Sequence, residues 1–268
     1  MIKYLSGDCR DILKTLEAES VQCCVTSPPY WGLRNYGHER QIGLESTFQQ
    51  YINNLIFVFD EIKRVLKWNG TLWVNIADCY GGSNSGKCED NKATKKGSSL
   101  TTINKHRPSR NVFNKSLIGI PERFAIAMSE RGWLRRNTIV WHKPNCMPAS
   151  VKDRFTNDFE YLYFFTKSQK YFFKQQYEKE RNKRCVWSIN TRPYKHAHFA
   201  VFPHELIKPC ILAGSREGDT VLDPFAGSGT TGEVALRYNR EAILIELNPD
   251  YVKLQDKRTA ATQTYFDI

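Results

Sequence analysis

Short apolar runs bounded by turn residues alternate along this chain with segments of helical periodicity. The runs predict strands over residues 3–5, 21–26, 71–76, 137–141, 160–166, 220–222 and 242–246. Helical spacing predicts helices over 11–16, 48–66, 121–131, 203–213, 229–238 and 249–262. Pro121 and Pro203 suit first helical turns, while Gly70 and Gly132 suit helix ends. Strands alternating with helices imply an α/β three-layer sandwich around a mainly parallel, seven-stranded sheet. The 268 residues read as one domain, 1–268.

The order of the units is unusual. A Gly-rich turn follows the strand at 220–222, and a nucleotide-binding half should then supply two more strands. After the turn and the helix it opens, one strand and one helix remain before the chain ends. The missing strand must be Lys3-Tyr4-Leu5, brought alongside by termini that meet. The expected sheet is therefore Rossmann-like and circularly permuted.

Composition narrows the class. Hydrophobic content of 41% without a bilayer-length run excludes a helical membrane protein, and the first residues lack a signal-peptide pattern, so a cytoplasmic location is expected. Eight scattered cysteines without a C-x-x-C pair argue against both a zinc site and a disulfide framework, and no metal is expected. A net charge of +11 suggests a polyanionic partner. Its distribution sharpens this. Residues 81–116 form a polar, basic segment carrying Lys95, Lys96, Arg107 and Arg110, and residues 143–200 interleave cations with aromatics. Segment 81–116 reads as a loop insertion contacting phosphates, and 143–200 as a target-recognition region. A solvated loop face is the alternative for both.

Two stretches carry candidate chemistry. After the strand at 220–222 comes Asp223-Pro224-Phe225-Ala226-Gly227-Ser228-Gly229-Thr230-Thr231. Gly227 and Gly229 let the backbone turn tightly and approach a ligand. The pattern is neither a P-loop nor a full G-x-G-x-x-G. Glu246 ends the next strand, about 20 residues on, where an acidic side chain reaches ribose hydroxyls. Near the start, Thr26-Ser27-Pro28-Pro29-Tyr30 closes a buried strand. Two prolines stiffen the turn and leave carbonyl acceptors beside a hydroxyl and an aromatic face, which suits an exocyclic amine of a base drawn out of its helix.

Together and in this order, these stretches resemble the amino-group (cytosine-N4 or adenine-N6) S-adenosylmethionine-dependent DNA methyltransferases, in the permuted subgroup whose SPPY motif precedes its DPFAGSGTT motif. The resemblance implies that Ser27, Pro28, Pro29 and Tyr30 handle the amine and stack the base. It implies that Asp223, Phe225, Ala226, Gly227, Gly229, Thr230 and Glu246 hold S-adenosylmethionine, with Asp223 facing its methionine end. Asp8 would lie near the adenine, or would simply cap the helix that follows. His198 and Phe199 resemble the segment packing on the methionine moiety, and equally suit a core. Arg34 and Lys143 fall in stretches similar to family elements around the base and its strand; Arg34 is equally a surface charge.

Ring-carbon methylation needs a cysteine nucleophile. The Pro209-Cys210 pair sits in a predicted helix without that family's partner motifs, so an exocyclic nitrogen is expected. Ser at the first motif position tilts the resemblance toward cytosine-N4 in double-stranded DNA, with adenine-N6 as the alternative. An RNA methyltransferase, a glutamine-amide methyltransferase and a non-catalytic DNA-binding module stay open. So do a cognate restriction endonuclease as partner and the choice between monomer and homodimer; no membrane partner is expected.

Overall fold

The two ends of the chain meet inside one sheet. The computed structural model describes residues 1–33, 38–82, 113–192 and 202–263. Its elements are β1 (Ile2–Ser6), α1 (Cys9–Thr15), β2 (Val21–Thr26), α2 (Phe48–Val65), β3 (Leu66–Ile76), α3 (Ile120–Glu130), β4 (Leu134–His142), β5 (Phe159–Thr166), β6 (Tyr177–Glu178), β7 (Arg181–Asn182), β8 (Val186–Ser188), α4 (His204–Gly214), β9 (Thr220–Asp223), α5 (Thr230–Arg237), β10 (Glu241–Glu246) and α6 (Pro249–Gln263).

The main sheet has the order β1-β10-β9-β2-β3-β5-β4-β8. β1 lies parallel to β10, in register from Ile2 opposite Ala242 to Ser6 opposite Glu246. The first strand thus completes the half-sheet that the last strands begin, as strand counting requires. β5 is antiparallel to both of its neighbours, β3 and β4, while the remaining pairings are parallel. The edge strand β8 is the eighth, beyond the seven expected. Three residues are too few to register as an alternating run, and Trp187 holds it in place by burial against the sheet.

Alternation along the strands divides the core. Cys24, Ile243 and Ile245 face α1, α2 and α3, whereas Cys23, Val25 and Leu244 face α4 and α5. α2 shows why the sequence folds this way. Phe48, Tyr51, Ile52, Leu55, Val58, Phe59, Ile62 and Val65 are all buried, a stripe at 3–4 residue spacing. Thr47 caps its start by accepting from the Gln50 amide at 3.2 Å.

One expected boundary is wrong. Gly70 does not end α2; it lies inside β3, which starts at Leu66 directly after the helix. A Cβ there would meet the Gln22 and Lys67 carbonyl oxygens at 3.0 Å, so glycine is demanded by close backbone approach. Gly132, by contrast, follows α3 with φ 75°, as expected for a helix end.

The parallel strands send their carboxyl ends to one edge. Thr26, Asp223, Glu246 and Gly7-Asp8 therefore assemble there. Because β5 runs the other way, its first residues reach the same edge, with Tyr161 opposite Ile76. Among the described residues no helix is long and apolar enough to cross a membrane.

Candidate functional site

A cavity of about 590 Å³ opens along this edge. Ser27, Pro28, Pro29 and Tyr30 line one part of it, and Asp8, Phe225, Ala226, Gly227, Thr230 and Glu246 line another. Two motifs from opposite ends of the sequence thus face one space.

On the Gly-rich side, Asp223 does not line the cavity. It sits behind the wall, 1% exposed, and accepts from the hydroxyls of Thr26 and Thr231 at 2.6 Å each and from the Phe225 amide at 3.1 Å. Burial drives its pKa up to about 6, against these hydrogen bonds. Its place is that of a brace tying β2 to the loop. Gly229 is also off the cavity. It starts α5 at φ 83°, and a Cβ would press on Gln255 at 3.0–3.3 Å. Gly227, at φ 49°, faces open space where a ligand can approach.

α6 clasps this loop from below. Gln255 donates to the Gly227 carbonyl at 2.8 Å, and Arg258 donates to Ser228 Oγ at 2.8 Å. Arg258 also pairs with Glu233, which His204 reaches at 2.9 Å. Burial opposes ionisation of Glu233, yet His204 and Arg258 together lower its pKa to about 2.

Glu246 accepts from the Gly227 and Asn248 amides at 2.8 Å each. Burial raises its pKa against those bonds. Asp8 is the N-cap of α1, accepting from the Arg10 amide at 2.9 Å, and it also borders the cavity. Asp8 therefore caps the helix and lines the cavity at once. Burial would raise its pKa, but hydrogen bonds and charge from Arg10, with Arg40 behind them, hold it below the usual carboxylate range.

The Ser-Pro-Pro-Tyr side is a hydrogen-bonded network. The Tyr30 hydroxyl donates to Glu160 Oε2 at 2.7 Å, and Ser27 Oγ donates to Tyr30 Oη at 3.4 Å. Asn75 Nδ2 donates to Glu160 Oε2 at 3.0 Å and to the Tyr161 carbonyl at 3.1 Å, which fixes the amide orientation. Asn75 Oδ1 lies 3.2 Å from Tyr30 Oη, whose single proton goes to the closer Glu160. The Asn75 oxygen is thereby left as an acceptor. The Tyr51 hydroxyl occupies the Pro29 carbonyl at 2.8 Å, whereas the Pro28 carbonyl accepts no hydrogen bond among the described residues. Burial, then the Glu160 charge, pushes the Tyr30 pKa well above its ordinary value.

Lys143 is not an exposed cation. It is ion-paired with Glu160 in the cavity wall, its side chain 17% exposed. Arg34, Lys95, Lys96, Arg107, Arg110, His198 and Phe199 lie outside the described residues. Cys210 is fully buried in α4, away from the cavity, with a thiol pKa pushed far up by burial. Cys9 does border the cavity, but burial and the Asp8 charge raise its pKa to about 12, so it stays a thiol.

The profile of the N6_N4_Mtase family, DNA methylase, matches residues 21–257. The chain belongs to this DNA methylase family. Among its relatives, the type II methyltransferase M.Cfr9I of Citrobacter freundii is 48% identical over 265 residues, 96% of this chain and 87% of that protein. M.SmaI of Serratia marcescens is 44% identical over 268 residues, 96% of this chain and 90% of the relative. The fold matches the PvuII DNA methyltransferase (cytosine-N4-specific) with a TM-score of 0.74 at 20% identity, over 99% of this chain and 91% of that one. It also matches a Thermus thermophilus DNA modification methylase complexed with S-adenosyl-L-methionine, with a TM-score of 0.68 at 24% identity, over 98% and 96%.

Sequence reasoning missed Asn75 and Glu160 as parts of the methylase's cavity, while Trp141 lies in a stretch the family resemblance had placed around the base. A signal for both existed. Asn75 interrupts the apolar run Leu72-Trp73-Val74-Asn75-Ile76, and Glu160 stands at the mouth of an otherwise apolar strand. A polar residue at such a position is informative only once the sheet edge is known.

Proposed function

We propose that this type II DNA methyltransferase transfers the methyl group of S-adenosylmethionine to the N4 amine of cytosine in duplex DNA. The carrying observation is the shared cavity, with an amine-accepting cluster on one side and a nucleoside-type loop on the other. Its volume is within the range of small-molecule sites. The residues fit the cofactor: Gly227 leaves room for close approach, and Glu246 offers a carboxylate, already anchored by two amides, to ribose hydroxyls. Phe225, Ala226 and Thr230 complete that wall. Bound there, S-adenosylmethionine supplies an electrophilic sulfonium methyl.

The protein's part is positioning. The Pro28 carbonyl, Ser27 Oγ and Asn75 Oδ1 accept the two amine hydrogens, which concentrates the nitrogen lone pair toward the methyl. Tyr30 stacks on the extruded base, its hydroxyl tethered by Glu160 so that the ring keeps its pitch. No covalent intermediate is needed, in keeping with the protonated Cys9. The Ser of the motif supports cytosine, as does the fold match to a cytosine-N4-specific enzyme. The basic segment 81–116 and the stretches of 143–200 outside β5 and β8 would contact DNA. The enzyme would act in the cytoplasm, with a cognate endonuclease as functional partner.

Incubation with labelled S-adenosylmethionine and mixed-sequence DNA, followed by nucleoside mass spectrometry, tests this. N4-methylcytosine is the expected product. N6-methyladenine would move the target base, 5-methylcytosine would remove the mechanism, and cofactor binding without transfer would leave a binding module.

A further inference from the structure

Glu160 tethers Tyr30 in the steps above, but its ion-pair partner Lys143 has no role there. Lys143 and Glu160 meet with side chains only 17% and 13% exposed. The Lys143 ammonium also stands 4.4 Å from the Trp141 ring centroid, so ring and carboxylate hold it from two sides. A pair so far from water gains little over apolar residues of the same volume. Glu160 is saturated by Lys143 on one oxygen and by Tyr30 and Asn75 on the other. Lys143 is not. An ammonium carries three N–H groups, and Glu160 is its one hydrogen-bond partner among the described residues. Lys143 lines the same cavity as Ser27, Pro28 and Asn75.

The chemistry of the base edge gives those donors a use. With the amine at Ser27 and Pro28, cytosine presents in succession the amine, a ring-nitrogen acceptor and the O2 carbonyl acceptor. Adenine presents the amine, a ring-nitrogen acceptor and then a C–H. A fixed cation beyond the amine site therefore meets an acceptor in cytosine and none in adenine. We infer that Lys143 is a specificity residue that donates to O2 of the extruded cytosine, with Glu160 holding its ammonium in position. This inference rests on the cytosine reading and assigns Lys143 to the base, not to a phosphate.

The test begins by mapping the methylated position in product DNA. Two duplexes are then built, one with cytosine there and one with a pyridine C-nucleoside that keeps the amine and ring nitrogen but lacks the O2 oxygen. They are compared with the wild type, Lys143→Met, and Lys143→Met combined with Glu160→Gln. The double variant leaves no lone buried carboxylate and carries the comparison if the single one fails to bind S-adenosylmethionine in calorimetry.

The wild type should lose about tenfold or more in kcat/KM on the analogue, the discrimination expected of one good base contact. The variants should lose a similar factor on cytosine and about twofold or less further on the analogue. The salt dependence of duplex binding should stay unchanged, whereas loss of a phosphate contact would lower its slope by about one. Equal loss on the analogue in all three proteins, or a lowered salt slope with discrimination intact, overturns the inference while N4-methylcytosine leaves the cytosine reading standing. Methylation of adenine, or of no DNA, overturns both.

Discussion

The two sides of the cavity are built differently. On the proposed reading, the cofactor side is mostly one piece of chain, within residues 224–251 and joined by Asp8, and it offers a positive-φ glycine and an anchored carboxylate, Glu246. The base side is a convergence of side chains from the end of β2, the end of β3, the end of β4 and the start of β5. The first is a local motif with its geometry written into neighbouring residues. The second exists only because an antiparallel strand returns Glu160 to the edge where Ser27 and Tyr30 sit. Under the proposed function, cofactor binding and base choice would fall to structures of different kinds.

If that division holds, variants should separate chemistry from cofactor affinity. Ser27→Ala should have the largest effect, lowering kcat by about 10²–10³-fold, the range seen when one positioned polar group is removed from a reacting centre. Its S-adenosylmethionine affinity, read by calorimetry, should stay within about threefold. Loss of both together would mean that the turn is only structural. Glu246→Ala is the mirror case. Removing a charged acceptor should weaken cofactor affinity by about 10–100-fold, in line with roughly 1.5–3 kcal/mol for such a bond. Single-turnover rates at saturating cofactor should change far less.

Asp223 sharpens the comparison, because it belongs to neither ligand. Its folded-state pKa of about 6 lies above the ordinary carboxylate value, so the folded state binds the extra proton. Its contribution is therefore most favourable at low pH and is lost as pH rises through about 6. Melting curves of wild type and Asp223→Asn, compared from pH 4 to 7, should show the wild type losing ground over that interval. A difference independent of pH would place a different group in control. Asp8→Ala should have the smallest effect. Removing the α1 cap should cost about 1 kcal/mol in denaturant unfolding, with a smaller loss of cofactor affinity than Glu246→Ala. An equal or greater affinity loss would make Asp8 a principal cofactor ligand.

Legibility in the sequence followed the same division. The Gly-rich turn, Glu246 and the need for β1 beside β10 were all readable, since each depends on residue order and strand count. Ser27 through Tyr30 were readable as a short rigid turn after a buried strand. The places of Asp223 and Gly229 were not. Both belong to the motif, yet the hydroxyls of Thr26 and Thr231 claim the one and the packing of Gln255 explains the other. Lys143 was expected near the base and its strand, but its ion pair with Glu160 could not be read from residue order.

Residue order and periodicity alone dictated the alternating α/β layers, the meeting of the ends and the two motifs at one sheet edge. These follow from backbone hydrogen bonding and from burial of regularly spaced apolar side chains. The partners of Tyr30, the retreat of Asp223 behind the wall and the capture of Lys143 depended on tertiary packing. Such contacts join residues far apart in the sequence, and only the completed sheet sets the distances between them.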